Sequence, residues 1–353
     1  MADSKRRTPP CKQRRYSRTR SPADLGTQEW QVALRRQYGR EQAFALENLG
    51  NEPVFSEFQV GNPDNGNTYR VAIRGADPGD NFCSCPDFAT NLLGTCKHIE
   101  FVLGRLERRR GGKAALRRGF QPDYSEVWLR YGARRHICFR PGQRCSRILL
   151  KRASALFVPE EGWHLPAERL DQLDDFLAAV RRSRHEVRCY DDALAFAAER
   201  KAENQRRQRL AEIFPQGSET RGLRKLLKVP LYPYQCEGAL FAARAGRAII
   251  ADDMGLGKTI QAIAAAEILL RHEDVERVLV ICPTSLKHQW REEIAHFSGR
   301  EALVVGGPQR ERARQFAQPG VFKITNYDTV RRDLDIINAW APDLVIADEA
   351  QRI

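Results

Sequence analysis

Four residues with metal-binding side chains stand close together at Cys83, Cys85, Cys96 and His98, as Cys-x-Cys, ten intervening residues, then Cys-x-His. Three thiolates and one imidazole make a closed tetrahedral set of the kind that holds structural zinc, with no place left for a reacting water. The plainer alternative is a group of thiols used for packing alone. Far downstream, ADDMGLGKT, Ala251 to Thr259, ends like a phosphate-binding loop, although Asp252 stands where the usual pattern has its first glycine. The loop runs from Asp253 and Met254 through Gly255, Leu256 and Gly257 to Lys258 and Thr259. Its glycines let successive N–H groups turn toward an anion, Lys258 reaches the outer phosphates, and the Thr259 hydroxyl ligates magnesium. Near the last residue, DLVIADEA delivers Asp348 and Glu349. One carboxylate can hold magnesium, and the other can orient or deprotonate an attacking water.

These groups need elements to position them. RAIIAD, RVLVICP, EALVVGG, VFKITNY and DLVIADE read as strands. Between them lie helical patterns over 258–272, 285–298, PQRERARQFA and 328–338. Such alternation implies a parallel sheet covered on both faces, with ligands at the C-terminal ends of its strands. Upstream, WQVALRRQYGREQAFALENL has helical spacing over 30–49, and PVFSEFQVGNPDNGNTYRVAIRG reads as a hairpin before a helix at IEFVLGRL. From about 120 to 215 the pattern weakens. SRILLKRASALFVP suits strands, whereas AERLDQLDDFLAAVRRS and DDALAFAAERKAENQRRQRLAEIF suit helices. The division expected is a tail at 1–25, a zinc-bearing domain at 26–118, a mainly helical connecting region at 119–222, and an α/β part at 223–353.

Composition bounds the rest. The 353 residues suffice for two or three domains and carry a net charge of +13. Lys5, Arg6, Arg7, Lys12, Arg14, Arg15, Arg18 and Arg20 face only Asp3 in the opening tail. Such a tail is expected to stay disordered, either attracting nucleic acid phosphates or simply solvated. Nine cysteines, an odd number without a dense framework, fit a reducing compartment, with Cys236 and Cys282 as buried thiols. No apolar run approaches the roughly 20 residues of a membrane helix, and no secretory leader is evident, so an intracellular protein is expected.

LYPYQCEGA, ADDMGLGKTIQAIA, VLVICPTSLKHQW, ITNYD and VIADEAQRI, taken in order, resemble the first five motifs of the Swi/Snf-like DNA-dependent ATPases of helicase superfamily two. The resemblance covers about 225–353 and implies a RecA-like α/β lobe of the P-loop NTPase class. An acidic residue at the Asp252 position is usual in that family. What the resemblance implies for ATP and Mg2+ follows residue by residue. Gln235 contacts adenine, Lys258 and Thr259 keep their phosphate and magnesium roles, and Asp348 and Glu349 keep theirs. Thr284 and Ser285, with Thr325 and Asn326, fall where the family touches the backbone of double-stranded DNA. Gln351 replaces a histidine found in many members, and coupling of ATP to DNA without a titrating group is expected there.

CSCPDFATNLLGTCKH and its flanks similarly resemble the SWIM zinc finger, a ββα module that binds DNA or protein, with a strand pair presenting one ligand pair and a helix start the other. The basic run RLERRRGGKAALRR favours DNA. The combined expectation is an ATP-driven DNA translocase or remodelling motor with a structural zinc module. Strand separation, or a nucleic-acid or protein binding module without turnover, are the alternatives. In the family a second lobe supplies arginine fingers, so slow turnover is expected of these residues alone. Bacterial cytoplasm is the expected setting, with the nucleus the alternative for a eukaryotic chain.

Overall fold

A computed structural model describes residues 15–352, and the chain divides into two compact units, 1–198 and 199–353. In the first unit, helix α1 (Thr27–Glu41) closes with the Gln42 N–H on the Tyr38 carbonyl at 3.1 Å. The helix expected to reach Leu49 stops here because Phe44 enters the core and the next residues pair as a strand. β1 (Ala45–Asn48), β2 (Glu57–Gly61), β3 (Thr68–Ala72) and β4 (Phe82–Cys83) form an antiparallel sheet in sequence order. β2 and β3 are the expected hairpin, and Phe58, Val60 and Val71 point inward between exposed Gln59 and Arg70, the two-residue period of a half-buried strand. α2 (Pro86–Thr90), α3 (Lys97–Arg108) and α4 (Gly112–Arg118) follow. α3 buries Ile99, Val102, Leu103 and Leu106 and leaves Arg105, Glu107 and Arg108 exposed, a helical stripe.

The tail differs from its expectation where it is described. Arg15 bonds Glu41 at 3.1 Å, the Tyr16 N–H donates to Gln37 at 2.7 Å, and the Trp30 indole donates to the Ser17 carbonyl at 3.0 Å. Residues from Arg15 onward thus lie against α1, while Lys5, Arg6, Arg7, Lys12 and Arg14 lie outside the described residues.

The expected connecting region is not a connector. β5 (Ser125–Arg130) pairs antiparallel with β6 (His136–Arg140), and α5 (Arg147–Leu156) and α6 (Leu173–Arg181) lead to β7 (Val187–Cys189), which joins β5 in parallel. One apolar core runs from Phe44 through Val127, Phe139, Phe157 and Phe176 to Ala197, so 125–197 and the cysteine-bearing segment fold around the same centre. α5 replaces the strands expected in SRILLKRASALFVP. Ser146 caps it by accepting from the Leu149 N–H at 3.2 Å, and Leu149, Ala153 and Leu156 bury one face at helical spacing. α7 (Asp191–Ile213) is the long charged helix expected.

The second unit has a four-stranded parallel sheet. α8 (Arg221–Arg224), α9 (Pro233–Ala245) and α10 (Lys258–His272) precede β8 (Val278–Ile281) and α11 (Lys287–Phe297). β9 (Ala302–Val304), α12 (Gln309–Ala317), β10 (Phe322–Thr325), α13 (Tyr327–Arg332), α14 (Leu334–Trp340) and β11 (Leu344–Ala347) complete it. The strand order is β11-β8-β10-β9. Four expected strands form, but RAIIAD does not. Residues 247–253 make no sheet pairing, and Ile249 is 84% exposed. The core joins α9, α10 and the sheet, and buries both Cys236 and Cys282. Among the described residues, no helix is long and apolar enough to cross a membrane.

Candidate functional site

The cysteine–histidine set is assembled by three element ends. Cys83 lies on β4 opposite Val71, Cys85 caps α2 by accepting from the Phe88 N–H at 3.4 Å, and Cys96 and His98 open α3. The first ligand pair therefore comes from β4 and the α2 start, not from the β2–β3 hairpin. All four residues are buried, and their ligand atoms lie within 4.8 Å of one another. Cys83 Sγ is 3.8 Å from His98 Nδ1. Bonds of about 2.3 Å to sulfur and 2.0 Å to nitrogen give tetrahedral edges of roughly 3.5–3.8 Å, so the donors suit zinc with little movement. The His98 ring is wedged between Phe44 and Tyr69, with centroids at 5.2 and 4.7 Å. Hydrogen bonds from Cys83 and Cys96 hold the Cys85 thiol well below its usual range, while the bond to Cys85 raises Cys83. Burial pushes Cys96 up to about 12. A dication bound by this set would displace the thiol protons.

In the second unit, the phosphate loop leads into α10. Gly255 and Gly257 adopt φ of +85° and +74°, in the left-handed region where a side chain is disfavoured. Gly257 is the N-cap of α10, so the first N–H groups of the helix and its dipole would attract an anion there. A Cβ on Gly257 would sit 2.8 Å from Gln235 Nε2, so the absent side chain makes the space. Lys258 Nζ donates to the carbonyls of Asp252 and Asp253 at 2.9 and 3.1 Å, occupying its own loop with the hydrogen bonds that phosphate oxygens would accept. Gln235 Oε1 accepts from the Tyr232 N–H at 3.1 Å, and its Nε2 reaches the Leu256 carbonyl of the loop at 3.4 Å. Met254 is 95% exposed, Asp253 is exposed, and Thr259 is half-buried.

Sequence reasoning missed Gln261. Its Nε2 donates to Asp252 Oδ2 at 2.7 Å, and its Oε1 is buried with no partner. The available clue was an amide among the apolar residues Ile260, Ile263 and Ala264 on a buried helix face. Gly238 of α9 admits it, since a Cβ there would lie 1.9 Å from that Oε1.

Asp348 and Glu349 emerge from β11. Parallel register sets Ala347 and Thr325 on either side of Ile281, so the ends of β11, β8 and β10 share one edge of the sheet. Asp348 Oδ1 accepts from the Glu349 N–H at 3.0 Å. Glu349 is exposed in a left-handed backbone with φ +55°, a local strain of the kind concentrated at functional sites. Gln351 Nε2 donates to Glu349 Oε2. Thr284 and Ser285 are exposed beyond β8, and Asn326 Nδ2 donates to Thr284 Oγ1 at 2.9 Å. Thr325 corrects its expectation as a DNA contact. It is 1% exposed, with its hydroxyl buried and unpaired, because the last residue of β10 turns its side chain into the sheet packing. Among the described residues no hydrogen bond or ion pair joins Lys258 to Asp348 or Glu349. Trp290 and Tyr327, whose side chains hold Asp348, were not anticipated.

A parallel α/β sheet with an acidic pair at one strand end, and a Gly-Lys-Thr helix start in the same unit, have the elements of a phosphate-loop lobe. The model of a family described as the SNF2-related domain matches residues 100–353, more than half of the chain, and the chain belongs to that family. It is 33% identical over 146 residues to the TATA-binding protein-associated factor mot1 of Aspergillus fumigatus, covering 36% of this chain and 8% of that protein. It is also 33% identical over 141 residues to the DNA repair and recombination protein RAD54B of Gallus gallus, covering 35% of this chain and 15% of that protein. With the mouse chromodomain-helicase-DNA-binding protein 1-like it shares 32% identity over 139 residues, 36% of this chain and 15% of the relative. The matched part is thus a small share of each relative's length.

Proposed function

We propose that this chain carries the nucleotide-binding lobe of a DNA-dependent ATPase that translocates on or remodels duplex DNA. The observation that carries the reading is the occurrence, in one family member, of the Gly255–Thr259 loop at a helix start and of a sheet edge that presents Asp348 and Glu349 together with Thr284, Ser285 and Asn326. In this reading Gln235 contacts adenine, Lys258 replaces its loop carbonyls with ATP phosphates, and Thr259 and Asp348 hold Mg2+. Glu349 orients the attacking water, steadied by Gln351. Small hydroxyls and an amide suit phosphate contacts that position DNA without reading its sequence.

Zinc at Cys83, Cys85, Cys96 and His98 would be structural, because no ligand position stays open. A SWIM-like recruiting role for this module is supported by its exposed Arg108, Arg110, Lys113, Arg117 and Arg118. Glu107, among them, turns to Arg40 at 3.7 Å, and the excess charge favours DNA over a protein partner. The eukaryotic relatives, one named as a chromodomain protein, favour the nucleus over a bacterial cytoplasm. The test is ATP hydrolysis by the protein with and without duplex DNA, for the wild type and Lys258→Ala. The reading expects turnover that duplex stimulates and that the variant abolishes. A wild type silent with duplex, or a variant as active as the wild type, would refute the motor.

A further inference from the structure

We infer that Trp290 and Tyr327 are positioning residues that tie the place of Asp348 to the two DNA-facing loops. The inference rests on the reading of Asp348 as the magnesium carboxylate and of Thr284 and Asn326 as DNA contacts. Trp290, 4% exposed in the first turns of α11, donates its indole N–H to Asp348 Oδ2 at 2.9 Å. Tyr327, the first residue of α13, donates its hydroxyl to the Asp348 carbonyl at 2.6 Å. The Asp348 N–H is fixed on the Ile281 carbonyl at 2.8 Å. Backbone and carboxylate of this one residue are therefore held from two helix starts and a neighbouring strand.

Those helix starts are where the DNA-facing residues sit. Thr284 and Ser285 open the turn that leads into α11, and Asn326 is the N-cap of α13, accepting from the Thr329 N–H at 2.9 Å. The two loops are latched by Asn326 Nδ2 on Thr284 Oγ1 at 2.9 Å. A DNA phosphate that draws the Asn326 amide N–H away from Thr284 Oγ1 competes with that latch. Because Trp290 follows Thr284 on one arm and Tyr327 adjoins Asn326 on the other, re-aiming either loop re-aims a donor to Asp348. The indole has one N–H and no acceptor, so it cannot compensate by exchanging roles. Coupling of this kind is reciprocal, and Mg2+-nucleotide must change DNA affinity by the factor that DNA changes nucleotide affinity.

The test uses the full chain, Mg2+ with a non-hydrolysable ATP analogue, and a short blunt DNA duplex. Nucleotide affinity is measured with and without duplex for the wild type, W290F, Y327F and the double variant. In parallel, the Trp290 indole N–H resonance is followed in a ¹H–¹⁵N spectrum, assigned among the five tryptophans by its loss in W290F. Duplex is expected to change wild-type nucleotide affinity by about 5-fold or more, within the usual range of coupling. W290F should bring that ratio toward one, Y327F should lower it, and the Trp290 resonance should shift with duplex alone. A merely structural tryptophan would weaken nucleotide binding equally with and without duplex. An unchanged ratio in both single variants, or an indole resonance unmoved by either ligand, would overturn the inference while leaving the nucleotide site intact. Failure of the wild type to bind nucleotide would instead overturn the site reading, and the coupling with it.

Discussion

Substituting Gly257 by alanine tests whether the phosphate loop depends on backbone that only glycine provides. The native φ of +74° lies in the left-handed region, where a residue with Cβ costs roughly 1–2 kcal/mol. The new Cβ would stand 2.8 Å from Gln235 Nε2 and 3.0 Å from Ile260 Cγ2. Ile260 is 8% exposed and fixed in α10, so Gln235 is the group that moves. Its displacement breaks the Tyr232 N–H bond at 3.1 Å, about 0.5–1.5 kcal/mol more. The smaller entropy of the unfolded alanine chain returns about 0.4–1 kcal/mol. The net expectation is a loss of about 0.5–3 kcal/mol, or roughly 1–12 °C in melting temperature for a unit of this size. Scanning calorimetry reads the stability, and titration with a fluorescent ATP analogue in Mg2+ reads the site. Nucleotide affinity should fall at least about tenfold, because the methyl enters the anion cradle and shifts the adenine contact. Gly222→Ala is the control, since no atom lies within 4 Å of its added Cβ, and its melting should stay level or rise slightly. If Gly257→Ala melts and binds like the wild type, the loop does not owe its shape to that glycine, and the cradle argument fails.

Three further outcomes follow from the packing. Chelation of zinc, or Cys85→Ser, should open residues 50–105 to protease, because zinc worth about 10–16 kcal/mol in small modules rivals the net stability of a whole domain; limited proteolysis that leaves this segment intact would count against the metal. Glu267, 0% exposed, receives Arg271 at 3.1 Å and Arg300 at 2.5 Å, and because those arginines are 44% and 35% exposed and regain water, Glu267→Ala should cost about 1–3 kcal/mol through the lost hydrogen bonds, read as a lower urea midpoint. Burial raises the Glu126 carboxyl above 4.5 against the opposing hydrogen bond of Tyr190 and the charges of Arg140 and Arg74. The folded state then binds more protons than the unfolded one between 4.5 and the raised value, so stability falls as pH rises through that window. Glu126→Gln should flatten that decline in pH-dependent urea unfolding, and an unchanged slope would contradict it.

The sequence was most legible where local pattern and tertiary demand agree. α10 begins at Lys258 and ends at His272 as its spacing implied, because capping and burial act on the same residues. The strands of RVLVICP and VFKITNY are almost wholly buried runs, and DLVIADE alternates half-buried Leu344 and Ile346 with exposed Val345 and Ala347, so nothing in their context competes. β5 was missed because Glu126 interrupts an apolar run. Only the folded chain supplies Arg140 at 3.0 Å and the Tyr190 hydroxyl that let the carboxylate be buried. Similarly, 42–49 continues a helical pattern, yet pairing with β2 and burial of Phe44 outweigh the modest propensity difference.

By itself the sequence determined the chemistry available: a three-thiol, one-imidazole set, a phosphate-loop ending and an acidic pair, because ligand type and short spacing are written along the chain. Tertiary structure alone decided which donors hold those groups. Trp290 on Asp348, Gln261 on Asp252 and the burial of Thr325 depend on which strand ends and helix faces meet across large sequence separations. Hydrogen bonds act over about 3 Å, and only folding brings residues so far apart in sequence within that reach.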